Sequence, residues 1–554
     1  MRRFIPLACA LWLVAFLAAT PRAEQSTDRA AALSHPRTLA PSASELFTPS
    51  ANCMACHNNL VTPQGEDISI GSTWRSTMMA NSGRDPYFQA GVRRETIDHP
   101  GSSADIQHEC AACHMPMLKR ISDASGRKAD VFAQLPIGAH DSAEHALAAD
   151  GVSCTVCHQI SDQKLGTRDS FNGGFVMMPT PDSGTRPIFG PFKIDKGRMT
   201  IMRSVSGFEQ SETMHIRQSE VCATCHTLYT EALGPDGRVL GSLPEQMNYQ
   251  EWQHSAFKDD RSCQSCHMPV VEETTRMSSV LGDPREGLGR HLFVGGNAFM
   301  LRMLNRYRGE LGVAATSQEL EATTQSTLRQ LEQDTARVAI ARADVSGGTL
   351  AIDVDVTNLA GHKTPTGYPS RRAWLHLSVR DREGRIVFES GAVDGTGLIR
   401  GNDNDADPLR VESHYDEIRS ADQVQIYESV MADATGAVTT GLLQATSYVK
   451  DNRLLPRGFD KATASADIAV RGAALDDNTF TGGRDRVRYV VSASAADGPF
   501  QIDVELRYQP IGFRWAQNLA RYDAPEPRRF VGYFNAMAAS SSVVVARAGV
   551  TFTR

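Results

Sequence analysis

Five copies of Cys-x-x-Cys-His punctuate the first half of this 554-residue chain: Cys53–His57, Cys110–His114, Cys154–His158, Cys222–His226 and Cys263–His267. Their second cysteines are Cys56, Cys113, Cys157, Cys225 and Cys266. Two thiols at this spacing can add to the vinyl groups of a haem, and the adjacent histidine then reaches the iron. Ten of the eleven cysteines are used in this way; the eleventh, Cys9, lies in an N-terminal apolar run. One such motif alone could be half a zinc site or a redox dithiol. Zinc would pair one Cys-x-x-Cys with another and has no need of histidine at every fifth place. Five repeats that all keep the histidine predict five covalently bound haem c groups. His57, His114, His158, His226 and His267 are then the proximal ligands.

A low-spin haem needs a second axial ligand; histidine gives a low potential and methionine a higher one. Eleven histidines lie outside the motifs, so some must be bystanders. His145, His215 and His254 stand just ahead of the third, fourth and fifth motifs, and His291 follows the fifth. All four are candidate distal ligands. So is His362, in Gly361-His362-Lys363-Thr364-Pro365; from there, ligation would tie the two halves of the chain together. Met79, in Trp74-Arg75-Ser76-Thr77-Met78-Met79-Ala80, is a further candidate. Its competing reading is core packing, the common fate of methionine, and packing also suits Met115 and Met268. His99 and His108 are alternates, His35 and His376 have poor contexts, and His140 and His414 stay open.

Three other groups have chemical meaning. Arg371 and Arg372 could pair with haem propionates, since guanidinium suits carboxylate; surface charge is the equal alternative. Asp403, Asp405 and Asp407 alternate, as calcium ligands can. An EF-hand would need glycine and glutamate where Pro408 and His414 stand. An acidic solvated loop is therefore preferred, with calcium the minority reading.

The elements that must position these groups change along the chain. Residues 1–23 read as a secretory signal, with Arg2 and Arg3 ahead of an apolar run too short for a membrane span. Residues 24–50, rich in Ala, Ser, Thr and Pro, read as a flexible lead-in. Residues 51–315 carry the motifs at first-cysteine spacings of 57, 44, 68 and 41, which is no fixed repeat. This segment is expected to be mainly helix and loop around stacked haems. A connecting helix is expected over 316–340, opened by the capping box Thr316–Glu319, with Leu320, Thr324, Leu328, Leu331, Thr335 and Val338 on one face. Residues 341–554 switch to period two. Leu350, Ile352, Val354 and Val356 alternate with polar neighbours, and Trp374–Val379, Ile386–Glu389, Val424–Val430, Val487–Val491, Ile502–Tyr508 and Ser542–Ala546 read as strands. The fold class is therefore α+β multidomain: a pentahaem domain followed by an immunoglobulin-like antiparallel β-sandwich.

A formal net charge of −7 and the lack of a polybasic stretch argue against nucleic acid. No later segment is apolar enough to span a bilayer. An exported, periplasmic location is expected, which fits attachment of haem c outside the cytoplasmic membrane.

The haem-bearing half resembles the multihaem cytochrome c family related to cytochrome c-554. The segments that carry the resemblance are Trp74–Pro86, Glu109–Pro116, Asp150–Ile160, Cys222–Tyr229 and Trp252–Pro269. In that family a Trp-x-x-Ser-Met-His-Ala-like stretch often supplies a distal histidine, and the corresponding position here is Met79. The departure leaves one His–Met haem, or one open haem, as alternatives. Gly361–Arg372 and Tyr448–Phe459 look like the appended β-domain of some bacterial multihaem cytochromes. The resemblance implies electron transfer.

Three functions follow, in this order. The first is an electron carrier between redox partner proteins, for which haem spacing, ligation and burial suffice. The second is an oxidoreductase acting on a small nitrogen or sulfur compound at one open haem. The third is a subunit of a haem-lined filament or surface electron conduit. The carrier ranks above the enzyme because every motif keeps its histidine. Oligomeric state is not legible.

Overall fold

A computed structural model describes residues 46–180, 184–493 and 496–553. The expected secretory signal, Cys9, His35 and most of the lead-in lie outside the described residues. The last residues of that lead-in are packed rather than flexible: Leu46 and Phe47 are buried, and Ser50 bonds both carboxylate oxygens of Asp150.

Short helices carry the motifs or lie between them. These are α1 (Ser50–Met54), α2 (Pro86–Asp98), α3 (Ser103–His114), α4 (Cys154–Cys157), α5 (Lys196–Ser206), α6 (Ser219–His226), α7 (Asn248–Gln253) and α8 (Cys263–His267). A helical turn places cysteines three residues apart on one face, which is what two-point attachment requires. The helices start where the sequence supplies caps. Asp85 accepts from Tyr87 N and Phe88 N ahead of Pro86, and Asp195 caps α5, which Gly207 ends in the left-handed conformation. Between α6 and α7 the chain makes a hairpin that the sequence reading did not include: β1 (Thr227–Leu233) against β2 (Val239–Met247).

Two further helices follow, α9 (Ala298–Arg306) and α10 (Ser317–Gln330). The capping box of α10 forms as expected. The helix does not reach residue 340: a single π-turn, Leu331–Thr335, ends it, and Ala336 begins a strand. The reason lies in Val338 and Ile340. These β-branched residues pair with Val356 and Val354 across an antiparallel ladder, and that pairing overrides a marginal helix.

The second half is built from β3 (Ala336–Ser346), β4 (Thr349–Asn358), β5 (Arg372–Arg380), β6 (Ile386–Ser390), β7 (Glu417–Ile418), β8 (Ile426–Asp433), β9 (Val438–Thr439), β10 (Ala445–Asp451), β11 (Arg484–Ser492), β12 (Phe500–Gln509) and β13 (Val543–Phe552). One sheet has the order β7-β11-β4-β3; the other runs β9-β8-β5-β12-β13, with β6 on β5 and β10 on β8. Alternate residues of facing strands fill the space between: Leu350, Ile352, Val354 and Val356 from one side, Leu375, Leu377, Val504 and Leu506 from the other. β5 is buried on both faces, because Trp374 packs outward against Ile399, Val424 and Ile426. It is therefore not the half-exposed strand that its alternation suggests.

A helix missed in the sequence, α11 (Pro525–Met537), lies within this half. Its Phe530 and Phe534 share a core with Ala90 of α2 and with Phe299, Met300 and Leu304 of α9. The two halves are thereby packed as one compact unit. Among the described residues no helix is long and apolar enough to cross a membrane.

Candidate functional site

All ten motif cysteines and all five motif histidines line one connected cavity of about 2280 Å³. The attachment segments are neighbours within it. The thiols of Cys53 and Cys154 lie close enough to influence each other's ionisation, as do those of Cys113 with Cys225 and of Cys222 with Cys263. The first motif thus adjoins the third, and the fourth adjoins both the second and the fifth.

Four of the five motif histidines are held in one tautomer. Nδ1 of His57 donates to Met277 O (2.6 Å), of His114 to Ser82 O (3.2 Å), of His158 to Phe189 O (2.6 Å), and of His267 to Val294 O. A carbonyl can only accept, so the ring proton sits on Nδ1 and the Nε2 lone pair is free for a metal. Burial favours the neutral ring. It lowers His57 and His158 below the usual histidine value and takes His114 and His226 to about 4. Phe88 stacks on His114 at 3.7 Å, with 3° between the planes.

Two candidate distal histidines face a motif histidine. His291 lies 6.3 Å from His158, with 19° between planes, and His362 lies 6.3 Å from His267, with 12°. Two in-line metal–imidazole bonds of about 2 Å each, plus the half-widths of the rings, sum to that separation. Nδ1 of His291 donates to Gly289 O and Nδ1 of His362 to Lys363 O, which leaves Nε2 free in both. Burial takes His291 to about 3 and also lowers His362.

The structure does not bring His145, His215 or His254 to the cavity wall. His145 accepts from Gly138 N and contacts Gln134 Oε1. His215 donates from Nε2 to Ile160 O and accepts from Thr213 at Nδ1. His254 reaches Asp460 O and packs edge-on against Phe459. In the first two both ring nitrogens are already bonded within the protein. Met79 does line the cavity, and it also packs with Leu147, Val152 and Val156; both of its readings survive. His108 is bonded to Lys119 and Ala129 N. His414 is buried with Asp477 and Asp485. Its Nδ1 receives amide donors from Gln425 and Asn452, so Nε2 keeps its hydrogen and donates to Asp477 at 3.0 Å. That cluster is a hydrogen-bonded core.

The calcium reading is overturned. Asp405 is 2% exposed; it takes both guanidinium ends of Arg372 and accepts from Ile399 N. Asp403 pairs with Arg410. The loop is saturated by its own cations and amides and is partly buried rather than solvated. Arg372 is thereby unavailable to a propionate. Arg371 lines the cavity and donates to Thr366 O, and among the described residues it forms no ion pair, so it could hold one.

A buried quartet behind His362 escaped the sequence reading. Arg453 and Lys363 both pair with Asp451, and Arg453 also pairs with Glu251. Burial pushes the Asp451 carboxyl up, but the two cations outweigh it and hold it at about 2.

The residues fit covalent haem. Besides the thiols and free Nε2 atoms, the walls carry apolar side chains that no protein covers. Ile201 and Val205 of α5 are 40% and 50% exposed, and Leu281 is 64% exposed, all facing this cavity. A macrocycle in the cavity would cover them.

Residues 90–278 match the family model of domains II and IV of MtrC/MtrF-like outer membrane cytochromes. That span contains the second to fifth motifs. A penta-heme cytochrome c552 from Thermochromatium tepidum aligns structurally over 91% of this chain and the whole of its own, at 14% identity and a TM-score of 0.49. No curated protein matches. The family match relates residues 90–278 to the multihaem c-type cytochromes, a relationship that implies covalently bound haem c.

Proposed function

We propose that the chain is an exported pentahaem c-type cytochrome that passes electrons between redox partner proteins through closely packed haems. The observation that carries this reading is the single cavity onto which all five attachment motifs open, with three close thiol pairs between motifs. Haem c attaches at Cys53/Cys56, Cys110/Cys113, Cys154/Cys157, Cys222/Cys225 and Cys263/Cys266, each with its motif histidine as proximal ligand. His291 completes the third site and His362 the fifth; Met79 is a distal candidate for one of the others. The protein's part is spacing, ligation and exclusion of water. Residues 1–23 direct export to the periplasm, where attachment takes place. Residues 51–315 and 341–554 are the haem and β-domains. The antiparallel orders β11-β4-β3 and β5-β12-β13 match the E-B-A and C-F-G strands of an immunoglobulin-like sandwich and support that reading of the second half; β7, which joins β11 in parallel, departs from it.

A second reading rests on a specific observation. Among the described residues no imidazole stands opposite His57, His114 or His226 in the way that His291 and His362 stand opposite their partners. An iron with a free face at one of these sites would allow chemistry on a small nitrogen or sulfur compound. Carbon monoxide binding to the fully reduced, haem-loaded protein, followed in the Soret band, decides between the two. No spectral change supports the carrier, whereas a shift worth one or more haems supports the enzyme. A mass corresponding to fewer than five haems would overturn the pentahaem assignment.

A further inference from the structure

The loop that carries His362 leaves β4 at Asn358 and returns to the sheet only at Arg372. A connection of this length placed by its ends alone would sample many positions, yet an axial ligand tolerates little error. The loop is pinned on both sides of the histidine. Asn358 Nδ2 donates to His362 O at 2.9 Å. Thr364 exchanges both backbone bonds with Leu454. Lys363 N and the Thr366 hydroxyl both donate to Glu251 Oε2, at 3.2 and 2.5 Å. Lys363 Nζ reaches Asp451 Oδ2 at 2.7 Å, and Arg453 joins Asp451 to Glu251.

We propose that Glu251, Lys363, Asp451 and Arg453 are positioning residues that set His362 opposite His267. The inference rests on the reading of His362 as the fifth site's distal ligand. Buried ion pairs are weak sources of stability, because desolvation consumes most of their attraction, and apolar replacements often do as well. Two cations and two anions enclosed together, with Lys363 fully buried, therefore call for another role. Their geometry supplies one. Glu251 lies on α7 of the haem half, and its neighbour Trp252 donates to Arg261 O, just ahead of Cys263. The same short segment thus braces the approach to the fifth motif and grips the loop bearing its second ligand. Gly361 faces Trp252 and Phe257, where a Cβ would make an ordinary 3.5 Å contact with each, so the loop lies against that segment. The network fixes where His362 sits relative to the fifth motif, across the joint between the halves.

The test uses the haem-loaded full chain, with carbon monoxide binding in the reduced state and electron paramagnetic resonance in the oxidised state. His362→Ala is the reference and is expected to add carbon monoxide binding, and a high-spin signal, worth one haem. Glu251→Ala is expected to do the same, because it frees Lys363 N and the Thr366 hydroxyl together. Phe500→Ala, in the sandwich core at the end of β12 opposite the one that pairs with Arg372, is expected to lower thermal stability without opening a haem; this separates positioning from general loosening. If His362→Ala opens one haem while folded Glu251→Ala leaves the spectra unchanged, the positioning role is wrong and the ligand assignment stands. If His362→Ala itself changes nothing, the ligand assignment falls and takes the positioning role with it. Should Glu251→Ala fail to fold, Thr366→Val removes a single bond. It is expected to show substoichiometric carbon monoxide binding, and silence there overturns the proposal.

Discussion

His291 and His158 lie 6.3 Å apart with their rings 19° from parallel, each with Nδ1 tied to a backbone carbonyl. Neither ring is placed by the other, since no bond joins them directly; both are aimed by their own segments at a point midway. His291→Met should keep that site six-coordinate and raise the potential of one haem, because thioether ligation favours the reduced iron. A potentiometric titration checks this: an upward shift in one component of five is expected, and an unchanged curve would remove His291 from the ligand set.

Met79→His bears on the remaining candidate. If the Met79 thioether ligates iron, histidine in its place should lower the highest haem potential. If Met79 only packs with Val152 and Val156, the titration stays as it was while the melting temperature falls.

Glu245 should govern part of the pH dependence of stability. Burial, with the Glu95 charge beside it, raises its carboxyl from 4.5 to about 7 against the hydrogen bonds from Thr230 and Gln246. The folded chain therefore keeps this proton up to about pH 7, whereas the unfolded chain releases it near 4.5. Stability is present in full below 4.5 and declines as pH rises through 7. Glu245→Gln should flatten that decline, with a gain on the order of 3 kcal/mol at pH 8 and little change at pH 4. Thermal melts of both forms across this range measure it.

Removing one partner of the Arg372–Asp405 pair should destabilise the sandwich by about 3–5 kcal/mol, because the other charge is left buried. Arg372→Leu and Asp405→Asn are both expected to lower the denaturation midpoint. Adding calcium, or a chelator, should leave the melting temperature of the native chain unchanged. A rise with calcium would restore the ligand reading of Asp403 and Asp405.

Covalent attachment is a local affair, so Cys-x-x-Cys-His could be read directly; three residues of spacing and a neighbour carry all of its chemistry. Distal ligation is a through-space affair. His215 stands closer to a motif in sequence than His362 does, yet the Ile160 carbonyl claims its Nε2. Nothing near His215 in the chain announces that claim. The alternation of Leu350–Val356 identified β4 because one face is solvated. Trp374 lies in the expected strand, but its outward face is covered by Ile399 and Val424, which alternation alone does not reveal. The α11 helix had a signal, with Pro525 at its first position and Phe530, Tyr533, Phe534 and Met537 at helical spacing, but it sat among strands and was absorbed into them. The quartet behind His362 was invisible because its members come from three distant segments.

The place of His362 in the chain orders assembly in time. Cys263 and Cys266 are synthesised well before residue 362, and the sandwich that carries this histidine closes only when β13 joins β12. On the proposed reading, the fifth haem is bonded to its cysteines while one axial position is still waiting for protein yet to arrive. A chain stopped early would carry its full complement of pigment and still lack a finished terminal site. On that reading the fifth site is finished when the β-sandwich folds, rather than when its own thioethers form.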